Sequence, residues 1–154
     1  MKVRKGLWAM YNDILVPVDL DHPEVSEKAV ATACQIAKDY KAVLHFLSVV
    51  PPVSPLIASY FPKDYKSSLS ATANERLHTF TSKYVSDGDI KLQHVIAHGS
   101  VYDEILQMRE ALNADLIILA SHRPELKDYL LGPNAARIVR HAPCSVMVVR
   151  EGQG

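Results

Sequence analysis

The chain has 154 residues, 48% of them hydrophobic, and its 17 lysines and arginines balance its 17 aspartates and glutamates. This length and composition predict one globular domain rather than a disordered chain, and the zero net charge argues against nucleic acid or a membrane surface as a partner. The two cysteines, Cys34 and Cys144, exclude a disulfide scaffold and favour a reducing cytoplasm, and no stretch approaches the roughly 18 apolar residues of a membrane span.

The first predicted strand, Ile14–Val18, is apolar at every position, as is typical of a strand in the middle of a parallel sheet. Pro17 has no N–H and should therefore lie at the end of the ladder. Apolar residues then recur at helical spacing up to Tyr40, and either Pro23 or Ser26 marks the start of this helix.

The second predicted strand, Val43–Val50, ends at two prolines. The segment Val53–Lys66 contains prolines, serines and aromatic residues and is predicted to form a long mobile loop, a kind of segment that often carries function. A second helix is predicted over Ser67–Val85, because one apolar stripe recurs along it at helical spacing.

The third predicted strand, Leu92–Ala97, leads into a helix for which Ser100 is the candidate N-cap and which carries acidic residues in its first turn. The fourth and fifth strands are predicted at Leu116–Ala120 and Ser145–Val149. A short helix that opens at Gly132 is predicted between them.

Strands that alternate with helices predict right-handed βαβ units, and hence an α/β fold with a doubly wound, five-stranded parallel sheet and helices on both faces. The predicted strand order is 3-2-1-4-5, which makes strands one and four neighbours and sets Asp19 and Ser121 across one cleft. Residues 11–150 are predicted to form the domain, residues 1–10 a flexible lead-in without signal-peptide features, and residues 151–154 a C-terminal tail.

The stretch from Leu116 to Arg150 carries the clearest indication of a ligand site. Its polar residues collect where the fourth strand ends, and ligands of open parallel sheets bind outside the carboxyl ends of the strands. The free N–H groups of residues 134–136, at the start of the following helix, suit an anion because about half a positive charge gathers there.

Three blocks of the chain carry distinctive sequence motifs: Ile-Leu-Val-Pro-Val-Asp at 14–19, Gly-Ser-Val-Tyr-Asp-Glu-Ile at 99–105, and the block 121–150. With them the chain resembles the universal stress protein family over nearly all its length, from Tyr11 to Arg150. The motifs Ala-Ser-His-Arg-Pro and Leu-Leu-Gly-x-Asn-Ala-Ala are most similar to those of the F-type branch of small single-domain members. The resemblance implies an α/β sandwich, frequent homodimers and, in one subset, binding of ATP or AMP.

Nucleotide-binding members of that family carry a Gly-x-x-Gly-x9-Gly-Ser/Thr pattern, from which this chain departs. Ala120 and Arg123 occupy the positions of the first two glycines, the loop before Gly132 is one residue shorter, and Pro133 replaces the hydroxyl residue. These changes affect phosphate binding more than adenine binding, because Pro133 removes both a hydroxyl and a backbone N–H. Arg123 can compensate with its planar fork of charged donors, and we expect it to be the principal cation for phosphate.

The resemblance implies a nucleotide site at the strand ends, formed by Pro17, Val18, Asp19, Val49, Leu119, Ala120, Ser121, His122, Arg123, Gly132, Pro133, Asn134 and Ala135. In this site Asp19 takes ribose-side or metal contacts, with Mg²⁺ bound indirectly through the nucleotide, and the main chain of Val49 reads the adenine edge. Structural alternatives stay open: Asp19 can cap the turn that follows it, and residues 121–123 can form an ordinary turn. Gly132 can provide only the backbone geometry with which the chain enters the helix.

Other chemistries find less support in the sequence. His94, His98 and His122 lack the spacing of a zinc site, and no Cys–His cluster accompanies them. Neither the Gly-x-Ser-x-Gly elbow of hydrolases nor the Gly-x-Gly-x-x-Gly of dinucleotide enzymes is present, and Cys144 is expected to be packed rather than reactive.

The sequence thus predicts a cytoplasmic universal-stress-type protein that binds ATP or AMP as a sensor or regulatory module, with slow ATP hydrolysis as the most activity expected. The alternatives are a nucleotide-free stress module that acts through protein–protein contact and, with a poorer local match, an α/β subunit like those of electron-transfer flavoproteins. The fifth strand is predicted to lie at the sheet edge and to pair with its copy in a homodimer, unless residues 1–10 with Trp8 cover it. The residues of this predicted interface are Ser145, Val146, Met147, Val148 and Val149.

Overall fold

Five parallel strands form one sheet in the order β3-β2-β1-β4-β5. The computed structural model describes residues 10–85, 88–121 and 133–150. The elements are β1 Asp13–Pro17, a 3₁₀ helix Pro23–Ser26, α1 Glu27–Tyr40, β2 Val43–Val50, α2 Pro55–Ala58, α3 Tyr65–Thr81, β3 Lys91–His98, α4 Val101–Leu112, β4 Leu116–Ala120, α5 Pro133–His141 and β5 Ser145–Val149. The predicted fold class and strand order are confirmed. Among the described residues, no helix has the length and hydrophobicity needed to cross a membrane.

The strands lie close to their predicted positions. The bounds of β2, β4 and β5 are those expected from the sequence, and β3 is one residue longer at each end. β1 begins one residue earlier than predicted and ends at Pro17, although the Val18 N–H still donates to the Leu47 carbonyl oxygen at 2.8 Å. Pro17 thus lies at the end of the strand, where its missing N–H costs no ladder bond.

The central strands are apolar at most positions because both faces of the sheet are covered. On one face, Phe46 and its β1 and β4 neighbours pack on α1 and α3. On the other face, Leu47 and its neighbours pack on α4 and α5, where Ile105 and Ile138 are buried. The two faces together hold the sheet rigidly, so the carboxyl ends of its strands form a fixed edge.

One buried polar network crosses three neighbouring strands. His45 of β2 is 5% exposed, and its Nε2 lies 3.0 Å from Oδ1 of Asp13 on β1. The Nε2 of Gln93, the residue of β3 that pairs with His45, lies 2.6 Å from the other ring nitrogen, Nδ1. The imidazole therefore joins β1 to β3 across β2, in the part of the sheet farther from the carboxyl ends.

Two predicted helix starts are right in position, but the serines act differently from a standard cap. Ser26 precedes α1, and its hydroxyl oxygen accepts the backbone N–H of Asp19 at 3.4 Å rather than an N–H of the helix. Ser100 precedes α4, and its hydroxyl donates to Oδ2 of Asp103 at 2.5 Å. The loop after β1 is thus tied to the start of α1.

The segment Val53–Lys66 differs from the predicted long mobile loop. It contains the short helix α2, which Ser54 caps by accepting the Ile57 N–H at 3.4 Å and which Pro55 begins. Ser-Pro is a helix-start signal, because serine caps and proline fits the first helical position, although the other prolines and serines of this segment favour a loop. α3 also begins at Tyr65 and ends at Thr81, earlier than the predicted Ser67 and Val85.

Candidate functional site

A cavity of about 450 Å³ opens at the carboxyl ends of β1, β2 and β4. This volume lies within the range of roughly 300–1,000 Å³ that is typical of small-molecule sites. The ten predicted site residues that fall within the described chain all line it: Pro17, Val18, Asp19, Val49, Leu119, Ala120, Ser121, Pro133, Asn134 and Ala135. The other three predicted residues, His122, Arg123 and Gly132, lie outside the described residues.

The loop after β1 carries the acidic side of the cavity. Oδ1 of Asp19 accepts the backbone N–H groups of Asp21 at 3.0 Å and His22 at 3.3 Å, and its Oδ2 lies 3.5 Å from His22 Nδ1. Asp19 therefore caps the turn that follows it, which was the structural alternative to a role in ligand binding. The Asp19 side chain remains 50% exposed and borders the cavity, so this turn holds the carboxylate in place beside a ligand-sized space.

The β4 side of the cavity lies next to β1, as the strand order requires. Leu119 is buried in β4, and the Ser121 N–H, just beyond the strand, donates to the Val149 carbonyl oxygen at 3.1 Å. Asp19 and Ser121 line the same cavity. The switch point of the sheet, between β1 and β4, thus opens into the space where open α/β sheets bind ligands.

The first turn of α5 contributes Pro133, Asn134 and Ala135 to the wall. This turn contains no acidic residue, whereas Arg140 and His141 lie in the last turn. The orphan N–H groups of a first turn carry partial positive charge, so this end of the helix presents an anion-attracting surface. Pro133 removes one of these donors.

Side-chain packing fixes the position of α5 against α4. The Arg137 guanidinium lies 3.7 Å from the centre of the Tyr102 ring, and Ile138 is fully buried on the same helix. A cation over a ring face and an apolar anchor one residue later hold the helix by two kinds of contact. The first turn of α5 is therefore held at the cavity by α4.

No pattern in the sequence indicates the wall that α3 supplies. Leu69, Thr72, Ala73 and Arg76 line the cavity from this helix. The apolar stripe predicted for the second helix consists of Leu69, Ala73, Leu77, Phe80 and Tyr84. This stripe does not distinguish a residue that packs on the sheet from one, like Leu69 or Ala73, that faces a cavity. Arg76 lies between stripe positions and resembles any exposed helical arginine, so the sequence held no signal for it. The remaining lining residues are Leu20, Asp21, Val25, Ser26, Leu47, Ser48, Val50, Pro51, Val101, Ile105 and Ile138.

His94 and His98, which the sequence did not favour as zinc ligands, do not line the cavity, and His122 lies outside the described residues. Nε2 of His94 lies 2.7 Å from the Thr81 hydroxyl, and Nε2 of His98 lies 2.6 Å from the Ser70 hydroxyl. Burial, with a smaller contribution from the neighbouring His78, lowers the pKa of His94 from 6.5 to about 4. Within the described ranges, no group of three or more His, Cys, Asp or Glu side chains is arranged to hold a metal ion.

The two cysteines are free thiols. Burial raises the pKa of Cys34 to about 11. Burial also raises the pKa of Cys144, while the nearby Arg109 opposes this shift. A raised pKa lowers the thiolate fraction, and the thiolate is the reactive form. Neither residue lines the cavity.

Known proteins share both the sequence and the fold of this chain. The universal stress protein family matches residues 10–150. Universal stress protein G of Escherichia coli O157:H7 is 39% identical over 144 residues, which cover 92% of this chain and all of that protein. The solved structure of universal stress protein UspA from Lactobacillus plantarum has a TM-score of 0.70 and 26% identity, and the match covers 91% of this chain and 98% of that one.

A further solved structure is of a universal stress protein in complex with cAMP. It has a TM-score of 0.58 and 22% identity, and the match covers 92% of this chain and 98% of that one, which shows a common fold. The family match extends over all of the described residues, and the first relative is aligned over its whole length. This chain belongs to the universal stress protein family.

Proposed function

We propose that this protein binds an adenine nucleotide, ATP or AMP, in the cavity at the carboxyl ends of β1, β2 and β4, and acts as a sensor or regulatory module in the cytoplasm. The observation that carries the proposal is that ten residues, chosen from separate parts of the sequence, line one cavity of ligand size. The solved relative in complex with cAMP shares the fold, and it supports an adenine nucleotide as the ligand class to be tested.

The lining offers a separate group for each part of a nucleotide. The main chain of Val49, near the end of β2, is assigned to the adenine edge, and the Asp19 carboxylate to the ribose side. The first turn of α5 is assigned to phosphate, because its N–H groups attract anions. No side chain is assigned as a general base, so the proposal is of binding and not of catalysis.

Charge in the cavity favours a nucleotide accompanied by a cation. The charged residues of the described lining are Asp19, Asp21 and Arg76, which leaves the wall with an excess of one negative charge. Mg²⁺ prefers one or two carboxylates together with phosphate oxygens, and Asp19 offers a half-exposed carboxylate of this kind. Asp19 would hold Mg²⁺ through the nucleotide, and Arg123 stays the predicted phosphate cation from the sequence.

Calorimetric titration with ATP, AMP and GTP, each with Mg²⁺, tests the proposal. We expect ATP or AMP to bind with micromolar affinity, about −8 kcal/mol. GTP serves as the control for base recognition and should bind more weakly, because its base presents a different edge to the Val49 main chain. The absence of both heat and a thermal shift at millimolar adenine nucleotide would contradict the proposal.

A nucleotide-free module that acts through protein contacts is the second candidate. Pro133 favours it, because proline at the start of α5 removes a donor from the turn that would bind phosphate. The same titration separates the two candidates, since a module of this kind predicts no response to any nucleotide.

We also propose that β5 forms the interface of a homodimer. β5 is an edge strand of the sheet, its first residue is exposed and the others are partly exposed, and no proline or lysine interrupts it. An unpaired edge of this kind must be covered, and two copies can pair about a twofold axis. Residues 1–10, the alternative cover, lie almost entirely outside the described residues.

Light scattering is expected to give the mass of two chains for the wild type. N–H groups of successive strand residues point to opposite sides, so Met147→Pro and Val148→Pro each remove a donor from a different side of β5. One of the two variants should therefore be monomeric while still folded. Met147→Leu, which keeps the N–H, should stay dimeric. A wild-type mass of one chain at high micromolar concentration would refute the dimer.

A further inference from the structure

The loop that carries Asp19 is held from three directions. The Asp19 carboxylate accepts the N–H groups of Asp21 and His22 from within the loop. The Ser26 hydroxyl accepts the N–H of Asp19 at 3.4 Å from the start of α1. From α3, Nη2 of Arg76 donates to the Leu20 carbonyl oxygen. The first two contacts are local in sequence, whereas Arg76 comes from 56 residues away.

Arg76 also brings the one positive charge of the described lining to this loop. Its Nη2 lies 3.9 Å from Oδ1 of Asp21, and its side chain is 51% exposed. An ion pair this exposed adds little to stability by itself. Its position matters more than its strength, because Arg76, Asp19 and Asp21 all border the same cavity.

These contacts connect two walls of the cavity. α3 forms one wall with Leu69, Thr72 and Ala73, and the loop after β1 forms the wall with the carboxylate. The hydrogen bond from Arg76 to the Leu20 carbonyl lies one residue beyond Asp19, so it fixes the backbone from which this carboxylate projects.

We propose that Arg76 is a positioning residue that sets ligand affinity through Asp19, by tying α3 to the loop after β1. This inference rests on the proposed nucleotide site and adds to it a residue from a wall that the sequence motifs do not include. Arg76 acts on the Asp19 carboxylate and not on phosphate, so its loss should matter only where that carboxylate is present.

A double-mutant cycle with Arg76→Gln and Asp19→Asn tests this, with affinities for Mg²⁺-ATP and adenosine measured by calorimetry. Each single variant is expected to weaken ATP about tenfold, which corresponds to 1.4 kcal/mol. In the Asp19→Asn background, Arg76→Gln should change the affinity less than about twofold, because residues that act through one another are not additive. Arg76→Lys should restore part of the affinity, since it keeps a charged donor.

Lys83→Gln is the matched control, because it removes the same charge from an exposed residue two positions after α3 and outside the cavity lining. It should leave ATP affinity unchanged. Equal effects of Arg76→Gln in both backgrounds would overturn the inference. So would an effect of Arg76→Gln on ATP relative to adenosine that differs from that of Asp19→Asn, which would mean direct phosphate contact. Absence of nucleotide binding by the wild type would overturn the proposed function and this inference together, whereas binding with additive effects overturns the inference alone.

Discussion

Replacement of Phe46 by alanine is expected to lower the free energy of unfolding by about 3–5 kcal/mol. The Phe46 side chain is fully buried in β2, on the sheet face that packs against α1 and α3, and its ring stacks on His94 at a centroid distance of 5.6 Å. Removal of the ring loses the transfer free energy of its atoms and leaves a cavity that a rigid sheet cannot close. Urea unfolding at pH 7 measures the loss.

Phe46→Leu is the matched control for this variant. It keeps most of the apolar volume, so its cost should be below about 1.5 kcal/mol. Phe46 does not line the candidate site, and the folded fraction of either variant should therefore keep the ligand affinity of the wild type. A loss below about 1 kcal/mol for Phe46→Ala would show that Phe46 does not anchor this face of the core.

Acidification from pH 7.5 to pH 4 is expected to cost about 2 kcal/mol of stability through His94 alone, since one pKa unit corresponds to 1.36 kcal/mol and solvent screening removes part of the shift. The pKa of His94 is about 4 in the folded protein against an ordinary 6.5. The unfolded chain therefore binds this proton first as the pH falls. The contribution is complete above about pH 6.5 and is lost between pH 6.5 and about pH 4.

The surroundings of His94 explain the direction of this effect. The His78 ring lies 3.6 Å from the His94 ring between centroids, Phe46 packs on it, and the Thr81 hydroxyl meets Nε2. Burial thus disfavours the charged imidazole, and a protonated His78 would disfavour it further.

Urea unfolding of His94→Gln at the two pH values tests the prediction. The fall in unfolding free energy between pH 7.5 and pH 4 should be about 2 kcal/mol smaller in this variant than in the wild type. His22→Gln changes a histidine whose side chain is 68% exposed and serves as the control for the loss of a histidine outside this cluster. Identical falls for wild type and His94→Gln would contradict the assignment to His94.

The local sequence pattern was sufficient to predict the strands. The rule that ligands bind at the carboxyl ends of parallel strands was sufficient to predict where the cavity lies. Continuous apolar runs that stop at Asp19, Pro51 and Ser121 marked where strands end, and parallel strands bring such ends to one edge. The fold and the location of the cavity follow from these two facts, whereas the ten residues were implied by the family resemblance. The family resemblance contributed the roles assigned to those residues, which stay predictions.

What the sequence could not supply depends on the relative placement of distant elements. Arg76 reaches the loop after β1 only because α3 crosses beside it, and no spacing within α3 encodes that contact. The short helix α2 was missed for a different reason, since Pro55 is both a loop former and a helix starter. In such cases the neighbouring serine decides the outcome, because it supplies the cap.

The imidazole of His45, which joins Asp13 to Gln93, has a consequence for how the sheet assembles. With the Gln93 amide nitrogen as donor, Nδ1 must accept, so the hydrogen of the ring lies on Nε2 and points to Asp13. A slip of β2 by one residue would turn His45 to the opposite face and take the imidazole away from both partners. An apolar residue at this position would accept several misaligned pairings equally well. The hydrogen bonds of His45 therefore form only in the native register of β1, β2 and β3, and they favour this register over misaligned pairings.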